Sequence, residues 1–389
     1  MTVADGAQPS SGYPDRLRPR PLEIVTSLPF GTDEESTRLP IRGAATPQLA
    51  IEAVIRDALS RSPCAVSFSG GRDSSAVLAT AAAVARREGL PLPVPITLRF
   101  PHAPGSHESD WQEQVVRHLE LPDWERIELT SELDLIGPVA QAGLRRHGLL
   151  WPPFSHFHVP IFERATGRTV LTGIGGDEVV SRGALGWLRG RPRTWVGRSN
   201  LRTVAVVLAP EAVRRRVFAR EAQVRFPWLH HHVEADVTRR RNAWRARSPD
   251  RWDAGIAQYW RTRYTAIQVA TLEQLASDAG TEVVNVFVEP SVVGAMARHF
   301  GFRGPSDRTS AMRELFGSVL PDAVVTRRGK AFFDEAYLGE RSCRFAASWD
   351  GGGIDETLVD PARLAAHWRA GRPDVRSSSL LQHAWLASI

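Results

Sequence analysis

Lysine is all but missing from this 389-residue chain: of its 49 basic residues, 48 are arginine and one, Lys330, is lysine. Two cysteines, Cys64 and Cys343, are too few for a disulfide framework or a cysteine-built zinc site. No apolar run approaches the roughly 20 residues that a membrane-spanning helix needs. The opening stretch MTVADGAQPSSGYPDR also lacks the charged-then-apolar order of a secretory signal. These absences lead to the expectation of a cytoplasmic chain with no membrane partner. A composition of 42% hydrophobic and 24% charged residues excludes a wholly disordered or collagen-like chain.

What is present is unevenly spread. The net charge of +6 is modest, yet residues 182–263 hold 19 Arg against 6 Asp and Glu. Trp187, Trp195, Trp228, Trp244, Trp252 and Trp260 are interleaved with those arginines. Two readings fit: a solvated helical surface in an arginine-biased chain, or a groove for an acidic or phosphorylated partner. Lys330 has two readings as well. It marks a place where a compact ammonium fits and a planar guanidinium does not, or it is a chance survivor of the bias.

Residues 1–47, rich in Pro, Gly, Ser and Thr, read as an irregular arm with one strand or hairpin. From Pro47 to Leu59, apolar Leu49, Ile51, Val54, Ile55 and Leu59 recur at helical spacing. Strand candidates follow at Ala65–Phe68, Pro95–Phe100, Glu125–Leu129 and Thr169–Thr172, alternating with helical stretches at 76–87 and 111–119. That alternation predicts an α/β fold, a parallel sheet with flanking crossover helices, over residues 48–181. Residues 182–389 read as an α-rich second lobe.

The chemistry lies in Ser69-Gly70-Gly71-Arg72-Asp73-Ser74-Ser75, between a strand and a helix. Paired glycines let a backbone curl around an anion. Serine hydroxyls and the amides of the following helix supply donors. Asp73 beside an anion calls for an intervening cation such as Mg²⁺. No Gly-Lys-Ser/Thr follows, so this is not a Walker A loop.

The loop resembles the SGGxDS pyrophosphate loop of the ATP-pyrophosphatase superfamily. Thr172-Gly173-Ile174-Gly175-Gly176-Asp177-Glu178 is similar to the (S/T)GxGxDE segment of asparagine synthetase synthase domains. Val284 to Glu289 stands where that family has RxPFLD, with Gly280 and Glu282 matching the residues before it. Pro321 to Phe333 resembles the stretch LPxxxxxRxKxxF that brings a lysine to the active site. The tail also resembles that of lasso-peptide cyclases, through Phe333, Glu335, Tyr337-Leu338-Gly339, Leu358-Val359-Asp360-Pro361 and Trp385-Leu386. Departures are clear too. Residue 2 is Thr, not the glutaminase cysteine, and the segment before the loop is too short for a glutaminase domain, so glutamine hydrolysis is not expected. Ile174 replaces a glutamate of asparagine synthetases and a tyrosine of β-lactam synthetases, and Val284 and Val286 replace the Arg and Pro of RxPFLD.

The resemblance implies an adenine-nucleotide-binding core and an ATP-dependent ligase with Mg²⁺, acting on a carboxylate and an amine in peptide or specialised-metabolite chemistry. It assigns Ser69, Gly70, Gly71, Asp73, Ser74, Ser75, Gly173, Gly175 and Gly176 to the nucleotide, and Asp73 with Asp177 to the metal. Lys330 would neutralise the α-phosphate, with Arg327 or Arg328 gripping pyrophosphate or forming a surface pair. Glu178 would brace its loop, Glu108 would contact the nucleotide, and the segment 321–333 would return to the site. Asparagine synthesis from free ammonia and an RNA-modifying activity are the alternatives, though nucleic acid is not the expected partner. A leader peptide is a candidate acidic partner for residues 182–263. His156 or His158, at period-two spacing on a possible strand, could replace the missing base. His230-His231-His232 is expected in a loop.

Overall fold

A computed structural model describes residues 13–35, 46–103, 108–181, 205–206, 209–220, 225–248, 251–327, 329 and 334–389. Arg328 and Lys330, like Trp187, Trp195 and Phe333, lie outside the described residues.

Five short strands form one all-parallel sheet: β1 (Cys64–Ser67), β2 (Val94–Arg99), β3 (Glu125–Glu128), β4 (Thr169–Thr172) and β5 (Glu282–Asn285). Their order is β3-β2-β1-β4-β5. The chain therefore steps outward from β1 on one side, then returns to build on the other. β5 is drawn from far downstream, so the 182–389 stretch contributes to the sheet as well as to the helical lobe.

Side chains alternate across the sheet, as the pleat requires. Cys64, Val66 and Leu171 pack with the helices Pro47–Arg61, Arg72–Glu88, Pro290–Phe300 and Arg308–Phe316. Ala65, Ile96 and Val170 face the opposite layer, which holds Ile161, Phe162, Ile267, Leu272 and Leu275. The helix Arg72–Glu88 buries Ala76, Ala79, Ala81, Ala82 and Ala85. Those small side chains let it lie close against the strands. In the helix Pro47–Arg61, Pro47 occupies the first turn and the Thr46 side chain accepts from the Leu49 amide. Ile51, Ile55 and Leu59 of that helix are buried, whereas Leu49, expected on the same face, is exposed.

A separate apolar cluster gathers Trp228, Trp349, Trp368 and Trp385 with Val25 and Leu229. The arm is more ordered than its composition predicts. Instead of a strand or hairpin, residues 13–35 form a short 3-10 turn and the helix Pro21–Thr26, capped by Glu23, whose carboxylate accepts from the Arg20 amide. That helix is fastened from both sides. The Trp228 indole donates to the Val25 carbonyl at 2.8 Å. Arg263 meets Glu23 through two 3.0 Å hydrogen bonds, with both side chains almost wholly buried.

Two further expectations are corrected. His156 and His158 stand on a 3-10 turn, Ser155–His158, not on a strand. His231 and His232 open the helix His231–Arg247, with His230 as its N-cap, so the histidine run is a helix start and not a loop. The His230 ring bonds the Glu356 carbonyl at 2.9 Å.

Candidate active site

The strand order reverses between β1 and β4, and loops leaving neighbouring strands there diverge and leave a crevice. Val66 pairs with Leu171 in register, so the Ser69–Ser75 loop after β1 and the Gly173–Glu178 loop after β4 lie side by side. Between them opens a cavity of about 660 Å³. Ser69, Gly71, Arg72, Asp73 and Ser74 line it from the first loop; Gly173, Ile174, Gly175, Asp177 and Glu178 line it from the second.

The first loop is tied into one shape. Gly70 has φ +85°, and a Cβ there would sit 2.7 Å from the Gln112 Cγ, so both conformation and space require glycine. The Gln112 amide donates to the Ser69 carbonyl at 2.9 Å. Ser69 and Ser74 hydroxyls bond each other at 3.2 Å, and the Ser69 Oγ accepts from the Gly71 amide. Gly176 lets the second loop close on the first: a Cβ on it would fall 2.4 Å from the Asp73 Cγ. Gly70, Ser75 and Gly176 thus shape the site without lining it. The Ser75 side chain is fully buried in the helix behind the loop and is not part of the cavity wall.

Asp73 and Asp177 converge, as expected of a shared cation site, but the cation that meets them here is Arg308. One guanidinium nitrogen of Arg308 donates to both Asp73 oxygens at 2.7 Å, and the other pairs with Asp177. Nothing in the sequence marks Arg308, beyond its place just after the helix N-cap Asp307. Arg327 is the second cation. Only 8% exposed, it donates to the Gly70 carbonyl at 2.8 Å, pairs with Glu108 and lies over the Trp111 ring. It is therefore neither a surface pair nor solvated. Arg72 is the third, and its pKa is pushed below the usual value, first by burial and then by Arg308. Three guanidiniums thus share one half-enclosed cavity, an arrangement suited to a polyanion.

The rest of the wall is less polar. Phe154, His158, Ile174, Tyr264 and Gln268 contribute, and Gly329 does so from the segment that carries Lys330. Burial, followed by the neighbouring His156, brings the His158 pKa down to about 4. His156 is buried away from the cavity with its ring on the Leu133 carbonyl. Burial and the nearby Glu178 carboxylate raise the Tyr264 hydroxyl to about 12. Phe154, Tyr264, Gln268 and Arg308 escaped the sequence reading because each comes from a segment far from either motif.

Both acidic residues offer oxygen ligands, the donor chemistry Mg²⁺ prefers. Among the described residues no group of three or more His, Cys, Asp and Glu could cage a metal. The residues therefore fit a Mg²⁺ that takes one or two carboxylates and completes its shell with substrate phosphates.

A parallel sheet of this order, with a glycine–serine loop after its first strand and an acidic loop at the switch point, defines an ATP-pyrophosphatase-like nucleotide-binding fold. The chain belongs to the asparagine synthase family, whose model matches residues 47–387. That match spans the sheet, the cavity and the tryptophan-rich cluster. Membership makes the chain one of the ATP-dependent amide-forming, C–N-bond-forming ligases. No curated protein matches the chain. None of the described helices is long and apolar enough to cross a membrane.

Proposed function

We propose that this protein activates a substrate carboxylate as an acyl-adenylate and transfers the acyl group to an amine, in peptide or specialised-metabolite synthesis. The observation that carries this reading is the cavity at the β1/β4 switch point, where two convergent carboxylates and three guanidiniums face one another. A carboxylate oxygen attacks the α-phosphorus of ATP, the bond to the bridging oxygen breaks, and pyrophosphate leaves. The amine then attacks the acyl carbon, the acyl–oxygen bond breaks, AMP departs, and the amine's proton passes to a base.

Each residue has a part that follows from its place. Ser69, Gly71 and Ser74 offer donors to the pyrophosphate, backed by the helix N-terminus at Arg72. Asp73 and Asp177 would hold Mg²⁺, which supplies neutralisation of the leaving phosphates. Arg308, released from the carboxylates, is within reach of the same phosphates, and Arg327 and Arg72 hold positive charge behind them. Lys330 is assigned to the α-phosphate on the resemblance of residues 321–333 to the family's lysine stretch, and Gly329 beside it in sequence lines the cavity. Ile174 can accept no proton, and an imidazole with a pKa near 4 is a weak base at neutral pH. Glu178, which lines the cavity near Tyr264, is our candidate for the amine's proton.

The test is ATP–pyrophosphate exchange with purified protein against a panel of free carboxylic acids and peptides. Label moves into ATP only when a cognate acid is present, because exchange reports reversal of adenylation. Acid-dependent release of ADP and phosphate in place of AMP and pyrophosphate would overturn the reading.

A further inference from the structure

A second open groove, of about 670 Å³, runs between the helix His231–Arg247, the start of the helix Arg263–Asp278 and the segment Arg20–Gly31. Tyr264 lines this groove and the cavity alike, so the two share one stretch of wall. The groove has an apolar wall of Leu28, Phe30, Trp244 and Tyr259, and a rim of Arg20, Arg240, Arg241, Arg245 and Arg247. Among the described residues no aspartate or glutamate lines it.

The arginines are not equivalent. Arg240 and Arg247 reach Asp236 and Glu211 in exposed pairs, and Arg245 lies over the Phe218 ring. Arg241 differs: it is partly buried and makes no hydrogen bond or ion pair among the described residues. Its guanidinium is pushed below the usual pKa, first by burial and then by Arg245, with no carboxylate acting in the other direction. A partly desolvated cation beside a like charge is costly unless an anion meets it.

We propose that this groove binds an acidic peptide segment of the substrate, with its carboxylates on Arg241 and the arginine rim and its apolar side chains on Trp244, Tyr259 and Phe30. The proposal rests on the ligase reading above, since a peptide substrate is to bring its carboxylate to the cavity whose wall the groove shares through Tyr264. Continuity favours a peptide over a nucleic acid: a peptide can present a carboxylate to ATP, and a nucleic acid carries none.

The probe is a short fluorescein-labelled peptide rich in Glu and Phe, titrated into the full chain and followed by anisotropy. A Lys-for-Glu peptide and a single-stranded RNA oligonucleotide run beside it. We expect saturable binding of the acidic peptide that weakens with salt and falls about tenfold or more in Arg241→Glu. Arg241→Lys, which keeps the charge, should recover part of that loss. ATP binding, measured separately by the shift in thermal unfolding, reports whether each variant is folded. Tight binding of the RNA in preference to the peptide, or equal peptide binding by wild type and Arg241→Glu, would overturn the proposal. Adenylation is read separately with the acid panel, so acid-dependent release of ADP and phosphate sinks the ligase reading and leaves the groove standing. Exchange that is indifferent to Arg241 does the reverse.

Discussion

Asp73, Asp177 and Arg308 form the tightest charged contact of the cavity, and its polarity is informative. Two carboxylates held by one guanidinium are already placed to share a cation, and under the proposed function Mg²⁺ would take that place. Asp177→Asn keeps the shape and removes the charge. It is expected to abolish turnover while thermal unfolding stays within a few degrees of wild type; near-normal activity would remove the metal assignment. Lys330 makes the complementary case. Arg327 and Arg72 already line the cavity with positive charge, so under the proposed function the lone lysine would add a slim ammonium able to follow a phosphate oxygen through the transition state. Lys330→Arg should lower kcat by a factor of about 10²–10³, as loss of an oxyanion donor does. The KM for ATP should change little, and a near wild-type kcat would reduce Lys330 to one more cation.

Among the elements, the helix Pro21–Thr26 links stability to the site. Glu23 and Arg263 bond twice in a dry setting, and the next residue, Tyr264, forms the wall shared by cavity and groove. Removing one partner strands a buried charge, so Glu23→Ala should cost about 3–5 kcal/mol. The double variant Glu23→Leu/Arg263→Met removes both charges and should regain much of that loss. Urea unfolding of the two variants decides it: equal destabilisation would mean that the pair's charges are not what stabilises the junction.

At the scale of the molecule, buried histidines set an acid limit. Burial lowers the pKa of His156, His158, His367 and His383 below the ordinary 6.5, and His158 falls to about 4. The unfolded chain therefore binds more protons than the folded one between about pH 6.5 and 4, and stability falls as pH drops through that window. The melting temperature should decline from pH 7 to pH 4.5, with a shallower slope in His158→Gln. An unchanged slope would show that His158 is protonated in the folded state as readily as in water. Charge is also distributed at this scale. The described part of the Arg- and Trp-rich stretch divides among several surroundings. Trp228 and Trp252 are buried in two different cores, while Trp244 and Arg241 turn to the groove.

The strand–loop–helix at 64–88 was legible because its information is local: a short apolar run, a glycine turn and an alanine-rich helix each act on their own neighbours. The same holds for the Thr172–Glu178 loop, and so for the nucleotide side of the cavity. Tertiary contact decided the remainder. The arm became a helix because Trp228 and Arg263, more than 200 residues away, satisfy its polar groups. Ser75 is buried within the helix behind the loop, a placement that helical rotation fixes and the loop motif does not show. Arg308, Arg327 and Tyr264 reached the cavity only once the sheet had brought distant segments to one edge. Composition could show an excess of arginine, but which guanidinium is buried with a carboxylate and which is buried without one depends on packing. Arg327 meets Glu108, and Arg241 meets no acid among the described residues; desolvation acts on positions in space, which residue order alone does not contain.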